Sequence, residues 1–249
     1  MPPASPLIVI PARMAATRLP GKPLADIHGT PMIVHVWRRA LAADAGPVVV
    51  ACPDREIAEA VEQAGGKAVM TRPDHPAGSD RVHEAASLLD PGGRHDVILN
   101  LQGDLPLLDP SAIRAALTPL ADPAVDIATL AAPMHEEWER ASPSAVKIAA
   151  SFATDSRVGR CLYFSRNLIP SGDGPHYHHI GIYAFRRSAL DRFVALPPSP
   201  LERRERLEQL RALEAGMRID VALVDAVPMG VDTPEDLQRA RFLLRPKKS

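Results

Sequence analysis

The chain has 249 residues, enough to bury a large core without disulfide or metal staples. Its 29 Lys and Arg offset 30 Asp and Glu to a formal net charge of −1, so no general electrostatic pull toward nucleic acid or a membrane surface is expected, and any basic site has to be local. Only Cys52 and Cys161 are present, both in apolar strand-like runs, which suits reduced thiols in a cytosolic protein better than a disulfide framework. The start MPPASPLIVIPAR has no basic n-region, its apolar run is too short for a signal peptide, and no apolar run reaches membrane length, so a cytoplasmic protein is expected.

Leu7 to Ile10 form a short β-branched strand closed by Pro11. The loop that follows carries Arg13, Arg18 and Lys22 among Pro20, Gly21 and Pro23, the layout of an anion site delivered by a strand. It is not a P-loop: Pro23 stands where Ser or Thr is needed after Gly21-Lys22, and Ala16 where the first glycine belongs; GxGxxG is absent as well. Plain solvated basic residues are the bland alternative, set against the coincidence of strand, loop and charge.

Further along, Thr30 is expected to cap a helix with Pro31 in its first turn and a buried stripe of Met32, Ile33, Val36, Trp37, Ala40 and Leu41. PVVVAC at 47–52 reads as a buried strand, Asp54 as the cap of a helix to Gln63 ended by Gly65-Gly66, and KAVM at 67–70 as a strand. TRPDHPAGSDR is a loop leading to a helix near 80–90, strand 96–101 follows, and Asp109-Pro110 opens another helix. This βαβα alternation predicts an α/β fold with a mostly parallel nucleotide-binding sheet flanked by helices, ligands sitting at the strand carboxyl ends. From about Val125 longer strands (VDIATLAAPM, AVKIAAS, CLYFSR, HHIGIYAFR) suggest an antiparallel lobe laid across the first sheet. SPLERRERLEQLRALEAG reads as one helix ended by Gly216, RIDVALV as a strand, and TPEDLQRARFLL as a closing helix before the basic tail RPKKS. No repeat or low-complexity linker divides the chain, so one domain is expected.

Asp104 in QGD follows strand 96–101, and Asp232 in MGVDTPEDL follows another strand-like segment. Two carboxylates at separate strand ends could hold Mg²⁺ beside phosphate oxygens. The residues alone leave the alternative open: Asp104 as a turn residue, and Asp232 as the lead-in to a helix that Thr233 caps and Pro234 begins. HxHH at 176–179 lacks any Cys or carboxylate at zinc spacing, which argues against a zinc cluster.

PARMAATRLPGKPL resembles the N-terminal signature of sugar nucleotidyltransferases, and within them the chain is most similar to the CMP-Kdo synthetase family. PMIVHV, AGGKAVMTRPDHPAGSDR, LQGDLP, LYFSR, HIGIYAFR, SPLERRERLEQLRALEAG and GVDTPEDL follow in the family order and cover nearly the whole chain. The resemblance implies transfer of CMP from CTP to 3-deoxy-D-manno-octulosonate (Kdo) with release of pyrophosphate, for lipopolysaccharide core synthesis, in a homodimer. It implies one nucleotidyltransferase domain, with nucleotide binding in about 1–130 and sugar binding in about 131–249. Arg13, Lys22, Asp104 and Asp232 become the catalytic set, the two aspartates being the Mg²⁺ ligands. Pro11, Ala12, Arg13, Arg18, Lys22, Arg72 and Ser79 become nucleotide contacts, although Asp74, Asp80 and Arg81 are equally read as caps and pairs around the next helix. Gln102, Arg166, His179, Tyr183, Glu208 and Gln209 become sugar contacts, with Arg166 on the carboxylate. No Ser/His/Asp or Cys/His nucleophile constellation is evident, in keeping with direct displacement. Departures are Leu105 where many members have glutamate, His178 where Arg is frequent, and a short connection between Arg166 and His179. Rival readings are a cytidylyltransferase for another acid sugar such as 8-amino-Kdo, and a non-catalytic nucleotide-binding regulator.

Overall fold

The computed structural model describes residues 5–15 and 18–245, so Ala16 and all of the basic tail except Arg245 lie outside it. The described residues form two compact units, one within 5–111 together with 228–245 and the other 112–227.

The first unit opens with β1 (Pro6–Pro11), whose side chains are almost wholly buried. After the basic loop, β2 (Asp26–Ile27) and β3 (Thr30–Pro31) make a small antiparallel pair. α1 (Met32–Ala42) therefore begins one residue later than the Thr-Pro signal suggests: Thr30 is engaged in the pair, and Pro31 takes the capping position without a side-chain bond. The buried face of α1 is Met32, Ile33, Val34, Val36, Trp37 and Ala40, while Leu41, expected in the stripe, is exposed at the C-terminal end of the helix. β4 (Val48–Cys52), α2 (Arg55–Gln63), β5 (Ala68–Met70), α3 (Gly78–Leu89) and β6 (Val97–Asn100) follow. The strands pair in parallel in the order β5, β4, β1, β6. Runs of Val, Ile and Leu suit strands buried on both faces.

α4 (Pro110–Leu117) spans the division between the units. The second unit continues with β7 (Ile127–Pro133), α5 (Glu137–Ala141), β8 (Lys147–Phe152), β9 (Val158–Ser165), β10 (Tyr177–Arg186) and α6 (Arg187–Ala195). β10 runs antiparallel to β7, and β9 to β8, as the alternating pattern predicts. The run from Ser199 is not one helix but α7 (Pro200–Glu205) and α8 (Gln209–Glu214), broken where Arg206 adopts φ 57°. Ser199 caps the first piece through a reciprocal bond with Glu202, and the Arg-Glu-rich sequence has too weak an apolar stripe to hold one straight helix. β11 (Ile219–Leu223) pairs in parallel with β7 and antiparallel with β9.

The chain then returns to the first unit with α9 (Pro234–Leu243), capped by Thr233, as its Thr-Pro start predicts, and locked by Asp236. No helix among the described residues is long and apolar enough to cross a membrane.

Candidate active site

A cleft of about 440 Å³ opens in the first unit where β1 and β6 end. Pro11, Ala12, Arg13, Arg18, Lys22, Gln102, Asp104 and Asp232 all line it. The loop after β1 is shaped by a left-handed Gly21 (φ 69°), and it is tied down by Asp54. Asp54 stands at the α2 cap position as expected, but its carboxylate makes no cap bond and instead accepts the Met14 N–H at 2.8 Å. Gly103 lets the 102–104 turn press against β1, since a Cβ there would lie 2.9 Å from the Pro11 carbonyl oxygen.

Lys22 is the electrostatic centre. Its Nζ lies 2.8 Å from Asp104 Oδ2 and 3.0 Å from Asp232 Oδ1, and Arg18 Nη2 lies 3.0 Å from Asp232 Oδ2. Burial opposes the charged ammonium, but Asp104 and then Asp232 outweigh it and hold the Lys22 pKa above its usual value.

The cleft is also lined by His75, which sequence reasoning left out, and by Arg81, which it read only as a cap or pair around the next helix. His75 Nε2 is 2.5 Å from Glu84 Oε2. Arg81 is only 3 % exposed and donates to Thr71 Oγ1 and the Arg72 carbonyl. Burial, and next the positive charge of Arg13, depress its pKa. Two cations placed close enough to oppose each other mark a place for an anion. The signal was present in the sequence: an arginine in the first turn of a helix opposes the helix dipole, where acidic residues are favoured. Arg72 and Ser79, expected on the nucleotide, do not line the cleft. Arg72 is exposed and reaches Glu84 at 3.6 Å, while Ser79 is buried in the first turn of α3.

Among the expected sugar contacts, Gln102 sits in this cleft, and the others belong to the second unit. His179 and Tyr183 lie on β10 with ring centroids 5.5 Å apart and planes tilted by 48°, and Phe164 meets the His179 ring edge-on at 5.0 Å. Burial, then His178, pushes His179 down to about 3, so its ring is neutral. The Thr129 hydroxyl donates its proton to the Ile180 or Ile182 carbonyl, and its oxygen can therefore accept from His179 Nε2–H at 3.0 Å. Burial, then the Glu208 carboxylate, holds Tyr183 well above its ordinary pKa, leaving a hydroxyl able to donate. Gln209 is buried at the start of α8. Arg166, expected on a sugar carboxylate, already spends its guanidinium on the carbonyls of Glu205, Pro143 and Arg206.

A parallel sheet, a basic loop after its first strand, Asp104 just past β6, and Asp232, which lies not at a strand end but in the turn leading into α9, define a nucleotide-handling α/β protein. The chain belongs to the cytidylyltransferase family, whose profile, described as "Cytidylyltransferase", matches residues 7–219. Within that family its relatives are proteins named 3-deoxy-manno-octulosonate cytidylyltransferase. That of Paramagnetospirillum magneticum is 64 % identical over 241 residues, covering 97 % of this chain and 98 % of the relative. That of Rhodopseudomonas palustris is 66 % identical over 238 residues, covering 96 % and 97 %. Among solved structures, a CMP:2-keto-3-deoxy-manno-octonic acid synthetase complexed with CTP superimposes with a TM-score of 0.89 at 41 % identity, covering 97 % of this chain and 98 % of the other. A cytidylyltransferase from Leptospira borgpetersenii, 18 % identical with a TM-score of 0.63 and covering 99 % and 89 %, shares the fold.

Proposed function

We propose that the chain transfers CMP from CTP to the anomeric hydroxyl of Kdo, giving CMP-Kdo and pyrophosphate for lipopolysaccharide core synthesis. The observation that carries this reading is the Lys22–Asp104–Asp232 cluster, which lines one cleft together with Arg13 and Arg81. The names of the relatives and of the CTP-bound neighbour support the choice of nucleotide and sugar.

Attack on the α-phosphate spreads negative charge over the phosphate oxygens, so fixed cations do more for the rate than covalent chemistry would. In this reading Arg13 and Lys22 stabilise that charge, Arg18 holds the leaving pyrophosphate end, and Pro11 and Ala12 present backbone groups to the cytidine. His75 and Arg81 add to the nucleotide contacts from the same cleft, while Arg72 and Ser79 hold the segment in place. Gln102, His179, Tyr183, Glu208 and Gln209 serve the sugar directly, and Arg166 serves it by bracing the 205–206 turn beside them. The chain acts as one nucleotidyltransferase domain, cytoplasmic and homodimeric, with nucleotide work mostly in the earlier part, joined there by the Asp232 segment, and sugar work mostly in the later.

Asp104 and Asp232 suit Mg²⁺: both offer hard oxygens, and one oxygen of each already meets a single cationic centre. Among the described residues no group of three or more His, Cys, Asp or Glu could hold a metal, so phosphate and water would complete the shell. When bound, the ion would neutralise phosphate charge and ease deprotonation of the attacking hydroxyl. Lys22 would give up its carboxylate oxygens on metal entry, leaving its ammonium to the phosphates.

The test is pyrophosphate release by the purified protein with Mg²⁺, each nucleoside triphosphate, and a panel of Kdo, 8-amino-Kdo, sialic acid and methylerythritol phosphate. Release with CTP and Kdo alone is expected. Preference for another acid sugar would change the substrate, and binding without release from any pair would overturn the enzymatic reading.

A further inference from the structure

Lys147, at the start of β8, is fully buried at 0 % exposure, and no carboxylate pairs with it among the described residues. Its ammonium donates to the Ser142 carbonyl at 2.5 Å and to the Arg166 carbonyl at 3.1 Å. Burying a cation with only neutral partners is unfavourable, and a methionine would fill the same space without that cost. What the charge does instead is fix a strand end. Arg166, whose carbonyl it holds, sends its guanidinium to the carbonyls of Glu205 (3.0 Å) and Arg206 (3.3 Å). Glu205 answers from the other side, one carboxylate oxygen accepting from Ser165 Oγ at 2.9 Å and the other from the Arg166 N–H at 3.1 Å. The knot thus joins the 142–143 loop, the end of β9 and the turn between α7 and α8. That turn passes through the left-handed Arg206 and delivers Glu208 and Gln209 immediately after it.

We propose that Lys147 is a positioning residue for the sugar site, acting through the Arg166 carbonyl and the 205–206 turn on the placement of Glu208 and Gln209. The inference rests on the reading that those two residues contact the sugar. Lys147→Met keeps the stem and removes the charge. It should raise the KM for Kdo about ten-fold or more, the scale of a lost hydrogen bond to a charged group, and change kcat far less. CTP affinity, measured by calorimetry, should stay at the wild-type value, because the cleft that holds the nucleotide lies in the other unit. Ser165→Ala, which loosens the same knot without disturbing a buried charge, should move the same parameter by a smaller factor and decides the matter if Lys147→Met does not fold. A wild-type KM for Kdo in the folded Lys147→Met protein, or in Ser165→Ala where it alone folds, would overturn the inference. So would sugar and CTP binding failing together, as a merely structural role requires. Glu208→Ala separates the layers: unchanged sugar KM there removes the underlying site assignment and this inference with it, whereas a raised KM in Glu208→Ala beside a normal Lys147→Met defeats the Lys147 role alone.

Discussion

Lys22 concentrates the charge logic of the cleft in one side chain. Its ammonium is half-buried and bonded to both Asp104 and Asp232, so it occupies the oxygens that the proposed mechanism assigns to a metal. Lys22→Met should therefore have two opposite effects. Turnover should fall by about 10²-fold or more, as when a donor to a developing charge is removed. Mn²⁺ in the absence of nucleotide should bind more tightly, because no ammonium competes for the carboxylates. Manganese EPR titration reads the second effect without any turnover, and unchanged affinity would remove Asp104 and Asp232 from metal binding. His179 gives a second residue-level expectation, this time for stability. Its ring is held down to about 3 against an ordinary value of 6.5, so between those values the unfolded chain takes up a proton that the folded one excludes. Its contribution is intact above pH 6.5 and is lost as pH falls toward 3, at no more than about 1.4 kcal/mol per pH unit. His179→Gln should flatten the acid limb of urea-unfolding stability between pH 7 and 5, and a slope equal to wild type would mean the ring is not kept neutral.

At the scale of elements, the legible parts were those that burial alone decides. VVVAC and VILN became β4 and β6 because β-branched and aliphatic runs of that length have no other place in a parallel sheet. The Thr233 cap of α9 was legible because Pro234 follows it directly, although the Asp236 half of the box was not read. What escaped were choices settled by distant approach. Asp54 looks like an N-cap, yet the basic loop comes near enough to claim its carboxylate through the Met14 N–H. Arg81 looks like a helix-surface residue, yet β4, β5 and the cleft surround α3 so that its guanidinium is buried. The break at Arg206 was hidden by a continuous run of good helix formers. Asp54 offers a direct test of the loop's importance. Because its side chain does not cap α2, Asp54→Ala should cost less in urea-unfolding stability than the ~1 kcal/mol usual for a lost cap. CTP affinity should nevertheless drop several-fold, since the loop carrying Arg13, Arg18 and Lys22 loses its charge-assisted tether. Equal losses in both would mean that Asp54 acts through the helix after all.

On the scale of the molecule, the candidate nucleotide cleft is assembled from both ends of the chain. Lys22 and Asp232 are separated by 210 residues, and the Val231 N–H donates to the Asp104 carbonyl at 2.9 Å, setting the two aspartate-bearing turns side by side. A reading that follows the chain from nucleotide part to sugar part has no means of showing that 228–245 rejoins the first unit. Resemblance singled out Asp232, but its Lys22 partner became visible only with the fold. The return is secured by packing, not by the ion pairs alone: Val231, Leu237 and Ala240 close a buried cluster with Ile27 and Met32, next to the loop that carries Lys22. This separates two ways of damaging the site. Leu237→Ala should cost about 2–4 kcal/mol of unfolding free energy by leaving a cavity in that cluster, while the fraction still folded binds CTP with near-wild-type affinity, because α9 keeps its Thr233–Asp236 cap. Asp232→Asn should do the reverse, with stability nearly unchanged and metal-dependent turnover lost. Urea unfolding paired with CTP calorimetry and Mg²⁺-dependent pyrophosphate release on both variants checks the division, and a Leu237→Ala protein that stays folded but loses CTP would mean that α9 positions the cleft directly rather than anchoring the segment that carries Asp232.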